Sequence, residues 1–113
     1  MITGIGTDIV ELEKIRQYSD KKYFLDKVFT KKELYYADGS AAHLATTFAA
    51  KEAVFKALGT GWLNPKDVEI IRDKKGKPKV IISNSLRKSI KNKKIELSLS
   101  FSDNYAIAFV VIS

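Results

Sequence analysis

The stretch from Ser40 to Gly61 constrains the fold more than any other part of the chain. Its large apolar residues recur at helical spacing and form one stripe, made of Leu44, Phe48, Phe55 and Leu58. Ser40 is a typical N-cap residue, and Gly59 follows the last apolar position, where glycine commonly ends a helix. We therefore predict a long helix that starts after Ser40 and ends near Leu58.

This predicted helix places an acid and a base one turn apart at the border of its apolar stripe. Glu52 lies within about 40° of Phe48 around the helix axis, and Lys56 follows Glu52 at i+4. Alanines on the same side leave room for a ligand to approach the carboxylate. A Glu–Lys pair at this spacing also stabilises helices by roughly 0.2–0.5 kcal/mol, so the spacing alone fits a structural pair as well as a chemical site.

A second carboxylate stands in the first ten residues, which alternate like a β-strand. One face of that strand would carry Ile2, Gly4, Gly6, Asp8 and Val10. Glycine weakens a strand and usually marks a bulge or a close approach by another backbone or a ligand. Asp8 is therefore either a partner for Glu52 or the cap of a following helix.

The remaining patterns predict one mixed α+β domain over residues 1–113. A helix led by Leu12 and Ile15 follows the first strand, and the run from Thr30 to Glu33 has the form of a capping box that starts a short helix. The later elements are a hairpin of residues 68–72 and 79–82, a short helix within 84–91, and two paired strands over 95–101 and 105–112. The expected architecture is one long helix packed on a small, mainly antiparallel sheet.

Four motifs in a fixed order carry a resemblance to a known family. They are Gly4–Glu11, the run Phe48–Ala53 followed by Lys56-Ala57 and Gly59-Thr60-Gly61, then Gly76-Lys77-Pro78, and finally Ser98-Leu99-Ser100 before Tyr105-Ala106. With these motifs the chain resembles, over nearly its whole length, the holo-acyl-carrier-protein synthases, which are small bacterial 4'-phosphopantetheinyl transferases. The resemblance implies a single phosphopantetheinyl transferase-like domain, a homotrimer, and an active site between subunits.

The activity implied by this resemblance is a magnesium-dependent transfer that serves fatty acid biosynthesis and lipid metabolism. The phosphopantetheine arm of coenzyme A would move to a serine of an apo acyl carrier protein, with release of adenosine 3',5'-bisphosphate. Asp8 and Glu52 would hold Mg²⁺, a hard ion commonly bound by one or two carboxylates plus substrate phosphates. Lys56 would contact the phosphates. The serine proton would pass to a carboxylate, with Glu52 as candidate, or to a water that a carboxylate holds.

Further contacts to coenzyme A follow from the resemblance, and each has a structural alternative. Lys51 would touch a phosphate, although it also fits a lysine whose stem lies along apolar surface. Gly59, Thr60 and Gly61 would lie near the nucleotide, although a glycine here also caps the helix. Ser102 would offer its hydroxyl to a phosphate, although in a Ser-Asp-Asn turn it more commonly bonds nearby backbone.

Two residues depart from the family pattern at positions associated with the nucleotide end of coenzyme A. Thr47 stands where an arginine commonly precedes the Phe-Ala-Ala-Lys-Glu run, and Phe101 stands where a histidine commonly follows Ser-Leu-Ser. Phe101 would either stack on a base or continue the core alternation of Ile95, Leu97 and Leu99, and we favour the core. The carboxylate pair is intact, so the departures concern nucleotide recognition more than the reaction type.

Net charge indicates the kind of partner. The chain carries +7, and half of its 20 Lys and Arg residues fall between Arg72 and Lys94. An earlier basic group consists of Lys14, Arg16, Lys21, Lys22 and Lys27. The family resemblance implies an acyl carrier protein as partner, and because such carriers are typically acidic, Lys14, Lys21, Lys22 and Lys27 would dock it. Much of the later group fits a solvated, lysine-rich surface.

The last predicted strand is apolar on both faces. Tyr105, Ile107, Phe109 and Val111 alternate with Ala106, Ala108, Val110 and Ile112. A chain of this size has too little structure to cover both faces, so another subunit is expected to cover one of them.

Composition excludes several chemistries. Without cysteine the chain cannot form disulfides, use a thiolate or build a cysteine-based metal site. It shows no signal-peptide pattern and no run of about 18 apolar residues. We therefore expect a cytoplasmic protein with no membrane partner.

Two other classes of protein fit parts of the sequence. A small basic nucleic-acid-binding module would account for the charge, but it would leave Asp8 and Glu52 without a function and would need an RNP-type aromatic strand, which is absent. A non-catalytic carrier-binding homologue would account for Thr47 and Phe101. The intact pair of carboxylates favours the enzyme, with no nucleic acid as partner.

Overall fold

A computed structural model describes residues 1–113. Four helices and five strands make up the domain, and short 3₁₀ turns at Pro65–Asp67 and Arg87–Ile90 connect some of them. In chain order the elements are β1 (Gly4–Glu11), α1 (Leu12–Tyr18), α2 (Lys22–Val28), α3 (Lys31–Ala37), α4 (Ala41–Leu58), β2 (Val68–Arg72), β3 (Pro78–Ile82), β4 (Ile95–Phe101) and β5 (Tyr105–Ile112).

The strands form two antiparallel sheets. The larger has the order β1-β5-β4, with Asp8 opposite Ala108 and Leu99 opposite Ala108 from the other side. The smaller is the hairpin of β2 and β3, with Val68 opposite Ile82. The predicted α+β architecture of one long helix on a small antiparallel sheet is confirmed.

Helix α4 packs against the larger sheet at very close range. Gly4 and Gly6 of β1 make this possible, because a Cβ atom at either position would collide with a backbone carbonyl of α4, that of Ala57 or Ala53 respectively. The alanines of β5 are likewise fully buried beneath the helix. The glycines therefore mark a close approach of helix and strand, as the sequence indicated.

The long helix is closed at both ends by the predicted residues. The Ser40 hydroxyl accepts a hydrogen bond from the backbone N–H of His43, and Gly59 adopts the left-handed conformation that ends the helix. The capping box of α3 is also present, with reciprocal bonds between Thr30 and Glu33. These local signals fix where both helices begin.

One helix was missed, and two expectations about the fold need correction. Helix α2 was not predicted, because its Lys21 N-cap makes no side-chain bond and only Val28 is buried. The expected helix within 84–91 is only the 3₁₀ turn Arg87–Ile90. Phe101 does not continue the core. Ile95, Leu97 and Leu99 of β4 pack against the core, but the Phe101 side chain at the end of the strand is 56% exposed.

Candidate active site

Strand β1 and helix α4 bring the predicted acid pair and its lysine together. Asp8 lies on the strand face that the two glycines press against α4, and Glu52 and Lys56 occupy successive turns of that helix. The Lys56 ammonium lies 3.2 Å from Asp8 Oδ1 and donates a hydrogen bond to the Thr7 carbonyl at 3.0 Å. The three side chains predicted to carry the chemistry therefore form one cluster.

The electrostatics of this cluster are unbalanced at Glu52. Burial raises the pKa of the Glu52 carboxyl, the negative charge of Asp8 raises it further, and Lys56 only partly offsets both effects. Lys56 contacts Asp8 directly and is half exposed. A second cation between the carboxylates would relieve their mutual repulsion.

A cavity of about 380 Å³ opens beside the two carboxylates. Its charged lining residues are Asp8, Glu11, Lys14 and Glu52, and the rest of the lining consists of the side chains Ile9, Val10, Ile15, Tyr18, Phe24, Phe48 and Tyr105. A mostly apolar cavity with a few charged groups is typical of small-molecule sites. The cavity can thus admit an apolar or extended group next to the carboxylates.

The charged side chains available for a metal at this site are few. The chain has no group of three or more His, Cys, Asp or Glu residues placed to hold a metal ion. The pair of Asp8 and Glu52 suits Mg²⁺, which keeps several waters and takes other ligands from substrate phosphates. The donor set therefore fits magnesium bound together with a phosphate-bearing substrate.

The predicted phosphate contact of Lys51 is wrong. Its side chain points away from the Asp8–Glu52 cluster and is 0% exposed, so it cannot reach a ligand in the cavity. The ammonium forms an ion pair with Glu33 Oε1 at 2.8 Å and donates to the carbonyls of Pro65 and Val68 at 2.8 and 2.6 Å. Burial lowers the pKa of Lys51, and the charge of Glu33 opposes that change.

The other predicted contacts to coenzyme A lie at exposed turns. Gly59 ends α4, and Gly61 also has a positive φ, of 72°. The Thr60 hydroxyl donates to the Gly61 carbonyl. Ser102 accepts weak bonds from the backbone N–H groups of Asn104 and Tyr105, so its local role in the turn is present. Thr47 is buried in α4.

The predicted carrier-docking lysines divide into two groups. Lys14 on α1 lines the cavity itself. Lys21, Lys22 and Lys27 lie outside it, at the start of α2 and along that helix, where Lys22 pairs with Asp26 at 3.1 Å and the Lys27 ammonium lies 5.7 Å from the Tyr23 ring centre. All four are exposed.

Sequence reasoning missed Glu33 and the aromatic residues of α1 and α2. Glu33 was assigned only to a capping box, yet it also neutralises Lys51 in the interior. Tyr18 and Phe24 line the cavity although neither was singled out. A buried partner for Lys51 depends on which elements pack against α4, and no local sequence signal reports that.

The fold and the carboxylate cluster define a class of enzyme, and comparison with known proteins identifies it. The family model of the 4'-phosphopantetheinyl transferase superfamily matches residues 4–110, and the chain belongs to this family. It is therefore a transferase.

Within this superfamily, the chain is similar to proteins named holo-[acyl-carrier-protein] synthases. A curated relative from Protochlamydia amoebophila, named holo-[acyl-carrier-protein] synthase, is 49% identical, and the match covers 100% of this chain and 99% of the relative. A Helicobacter pylori holo-[acyl-carrier-protein] synthase solved with coenzyme A has a TM-score of 0.91 at 30% identity, covering 96% and 99% of the two chains. A Bacillus anthracis holo-(acyl-carrier-protein) synthase in complex with CoA (3',5'-ADP) has a TM-score of 0.84 at 38% identity, covering 99% and 96%.

Proposed function

We propose that this protein transfers the 4'-phosphopantetheine arm of coenzyme A to a serine of an apo acyl carrier protein. The observation that carries the proposal is the cluster of Asp8, Glu52 and Lys56 beside the cavity. It combines a pair of carboxylates that can hold a metal ion with a cation that can stabilise charge on a phosphate. The full-length relatives named holo-[acyl-carrier-protein] synthase support the same reaction. The product, a holo carrier protein, serves fatty acid biosynthesis.

The chemistry is a displacement at phosphorus. The serine Oγ bonds to the phosphorus that bears the pantetheine arm, and the bond from that phosphorus to the bridging oxygen of the pyrophosphate breaks. Adenosine 3',5'-bisphosphate leaves with the bonding electrons. Lys56 places a positive charge beside the pyrophosphate, where negative charge develops. The serine proton passes to Glu52 or to a water that a carboxylate holds.

Asp8 and Glu52 would hold Mg²⁺ for this reaction. Burial and the negative charge of Asp8 both raise the pKa of Glu52, and a bound cation would offset both effects. When bound, Mg²⁺ neutralises charge on the pyrophosphate and on the leaving group. Gly59, Thr60, Gly61 and Ser102 remain the proposed contacts to the rest of coenzyme A.

The carrier protein would approach across α1 and α2. Lys14 lines the cavity, so an acidic carrier docked on Lys14, Lys21, Lys22 and Lys27 would bring its serine to the carboxylates. None of the helices is long and apolar enough to cross a membrane.

A homotrimer accounts for the outer face of the larger sheet. This face carries a row of exposed apolar side chains on β1 and β5: Ile5, Ile9, Tyr105, Ile107 and Phe109. Contiguous exposed apolar surface of this kind marks an interaction site. We expect Ile107→Glu to dissociate the assembly in sedimentation analysis, and Tyr35→Glu, on the exposed side of α3, to leave it intact. A monomeric wild-type protein would contradict the trimer.

The intact mass of a purified apo acyl carrier protein tests the proposed reaction. We expect a gain of one phosphopantetheine group after incubation with this protein, coenzyme A and Mg²⁺. A matched sample with chelator should show no gain. Absence of the added group with several carrier proteins, at any metal concentration, would refute the proposed function.

A further inference from the structure

The segment from Gly59 to Asn64 links the end of α4 to the turn Pro65–Asp67, and we call it the α4–β2 loop. Its first residues are held by α4, because the N–H groups of Gly59 and Thr60 both donate to the Phe55 carbonyl. The backbone N–H groups of residues 61–63 make no hydrogen bond within the protein. They are free to bind oxygen atoms of a ligand, provided that the loop is held in place.

Lys51 holds the far end of this loop. An ammonium group has three N–H donors, and at Lys51 all three are used: on Glu33, on the Pro65 carbonyl and on the Val68 carbonyl. These carbonyls belong to the first residue of the turn Pro65–Asp67 and to the residue that follows the turn. Lys51 therefore ties the exit of the loop to the middle of the helix from which the loop starts.

Glu33 fixes Lys51 in turn. Its Oε1 atom accepts from the Thr30 N–H at 2.8 Å as well as from Lys51, and its Oε2 atom accepts from the Ile70 N–H at 2.7 Å. Both side chains are wholly excluded from solvent. A buried ion pair with this many satisfied partners has one defined geometry.

The single tryptophan lies in the same loop. The Trp62 ring packs against Phe48 and Phe55 of α4, with centroid separations of 5.4 Å to each, and remains 42% exposed. Phe48 also lines the active-site cavity. The loop is thus attached to α4 at three places: its start, Trp62, and the Lys51 anchor beyond its end.

We infer that Lys51 is a positioning residue that presents the α4–β2 loop to coenzyme A without touching it. This inference rests on the proposed function, in which Gly59, Thr60 and Gly61 contact the coenzyme. A loop held at both ends loses little conformational freedom when a ligand binds. Release of its far end should therefore weaken coenzyme binding and leave the carboxylate cluster in place, since β1 and its glycines position that cluster.

The test uses the double variant Lys51→Met/Glu33→Gln, which removes the anchor and leaves no buried unpaired charge. We expect the KM for coenzyme A to rise at least fivefold, with kcat and the KM for the carrier protein within twofold of wild type. The emission of Trp62 should shift to the red, and acrylamide should quench it more strongly. Lys66→Met, at an exposed lysine of the adjoining turn, should change none of these quantities.

A rise confined to the KM for coenzyme A separates positioning from general destabilisation. General destabilisation would lower the active fraction, and hence kcat, without a selective change in one KM. An unchanged KM for coenzyme A in the folded double variant would overturn the inference. If the variant melts below the assay temperature, Lys51→Gln/Glu33→Gln takes its place, and the same split is required. The Trp62 measurements need no coenzyme, so an unchanged Trp62 signal refutes the anchor even if the proposed transfer itself fails.

Discussion

Two adjacent charged residues on opposite sides of helix α4 differ in how completely their charges are paired. Lys51 faces α3 and β2, where a carboxylate and two carbonyls satisfy its ammonium completely. Glu52 faces β1, where Asp8 repels it and Lys56 pairs with Asp8. A charge with every partner present holds a structure together, whereas a charge that lacks a full set of partners beside a cavity is available for a ligand. The contrast explains why we propose Glu52, and not Lys51, for the active site.

The strongest expected effect is on the β1 side. Asp8→Asn removes one metal charge and little volume, so we expect kcat/KM for transfer to fall at least a thousandfold, about 4 kcal/mol of transition-state stabilisation. Rates measured by intact mass of the carrier, with urea denaturation as a check on folding, test this. A folded Asp8→Asn protein with activity within tenfold of wild type would remove Asp8 from the reaction.

For the free energy of unfolding, we expect the larger effect on the opposite side of α4, where Lys51 lies. Lys51→Met leaves Glu33 buried without its cation, so we expect the free energy of unfolding to fall by about 3 kcal/mol. Lys56→Met removes a half-exposed pair and should cost about 1 kcal/mol or less. Urea denaturation of both variants measures the difference. Equal losses would show that the two sides of α4 do not differ as described.

The close packing of α4 on β1 predicts a further loss of stability. In Gly6→Ala the new methyl group meets the Ala53 carbonyl, so helix and strand must separate. We expect a cost of about 1–3 kcal/mol, measured by urea denaturation. Thr7→Ala, the next residue on the exposed face of β1, serves as the control and should stay within about 0.5 kcal/mol. A tolerated Gly6→Ala would mean that the helix sits further from the strand.

The smallest expected effects concern the titration of Glu52, which carboxyl NMR can follow in metal-free protein. Asp8→Asn should lower the pKa of Glu52, because it removes a like charge, and Lys56→Met should raise it. The raised pKa also makes stability depend on pH. Folding favours the protonated form of Glu52, so the stability that this form contributes is lost as pH rises through the folded pKa. Glu52→Gln should therefore be slightly more stable than wild type at neutral pH. Identical titration of Glu52 in the wild type, Asp8→Asn and Lys56→Met proteins would contradict the clustering of these three side chains.

The sequence predicted the parts of the molecule that depend on local signals. Ser40 and Gly59 bound α4, the Thr30–Glu33 box starts α3, and the alternation in β1 puts Asp8 on the glycine face. A helical wheel also placed Glu52 at the edge of the apolar stripe. These features follow from backbone conformation and periodicity alone.

The parts that failed depend on tertiary packing. Lys51 was assigned to a phosphate because its family position suggested it, but α3 and β2 cover that side of the helix. Phe101 follows the alternation of β4, yet its side chain remains more than half exposed at the end of the strand. Helix α2 has no side-chain cap and buries little. For Lys51 and Phe101 the outcome depends on which elements of the fold cover the side chain, whereas α2 lacks a local capping signal.

The most direct test of the account measures transfer by two variants of neighbouring residues, Glu52→Gln and Lys51→Met/Glu33→Gln, by intact mass of the carrier at saturating coenzyme A and Mg²⁺. We expect no detectable phosphopantetheine transfer by folded Glu52→Gln and a kcat within twofold of wild type for the double variant. Turnover by Glu52→Gln close to that of wild type would contradict the claim that the Asp8–Glu52 pair carries the reaction.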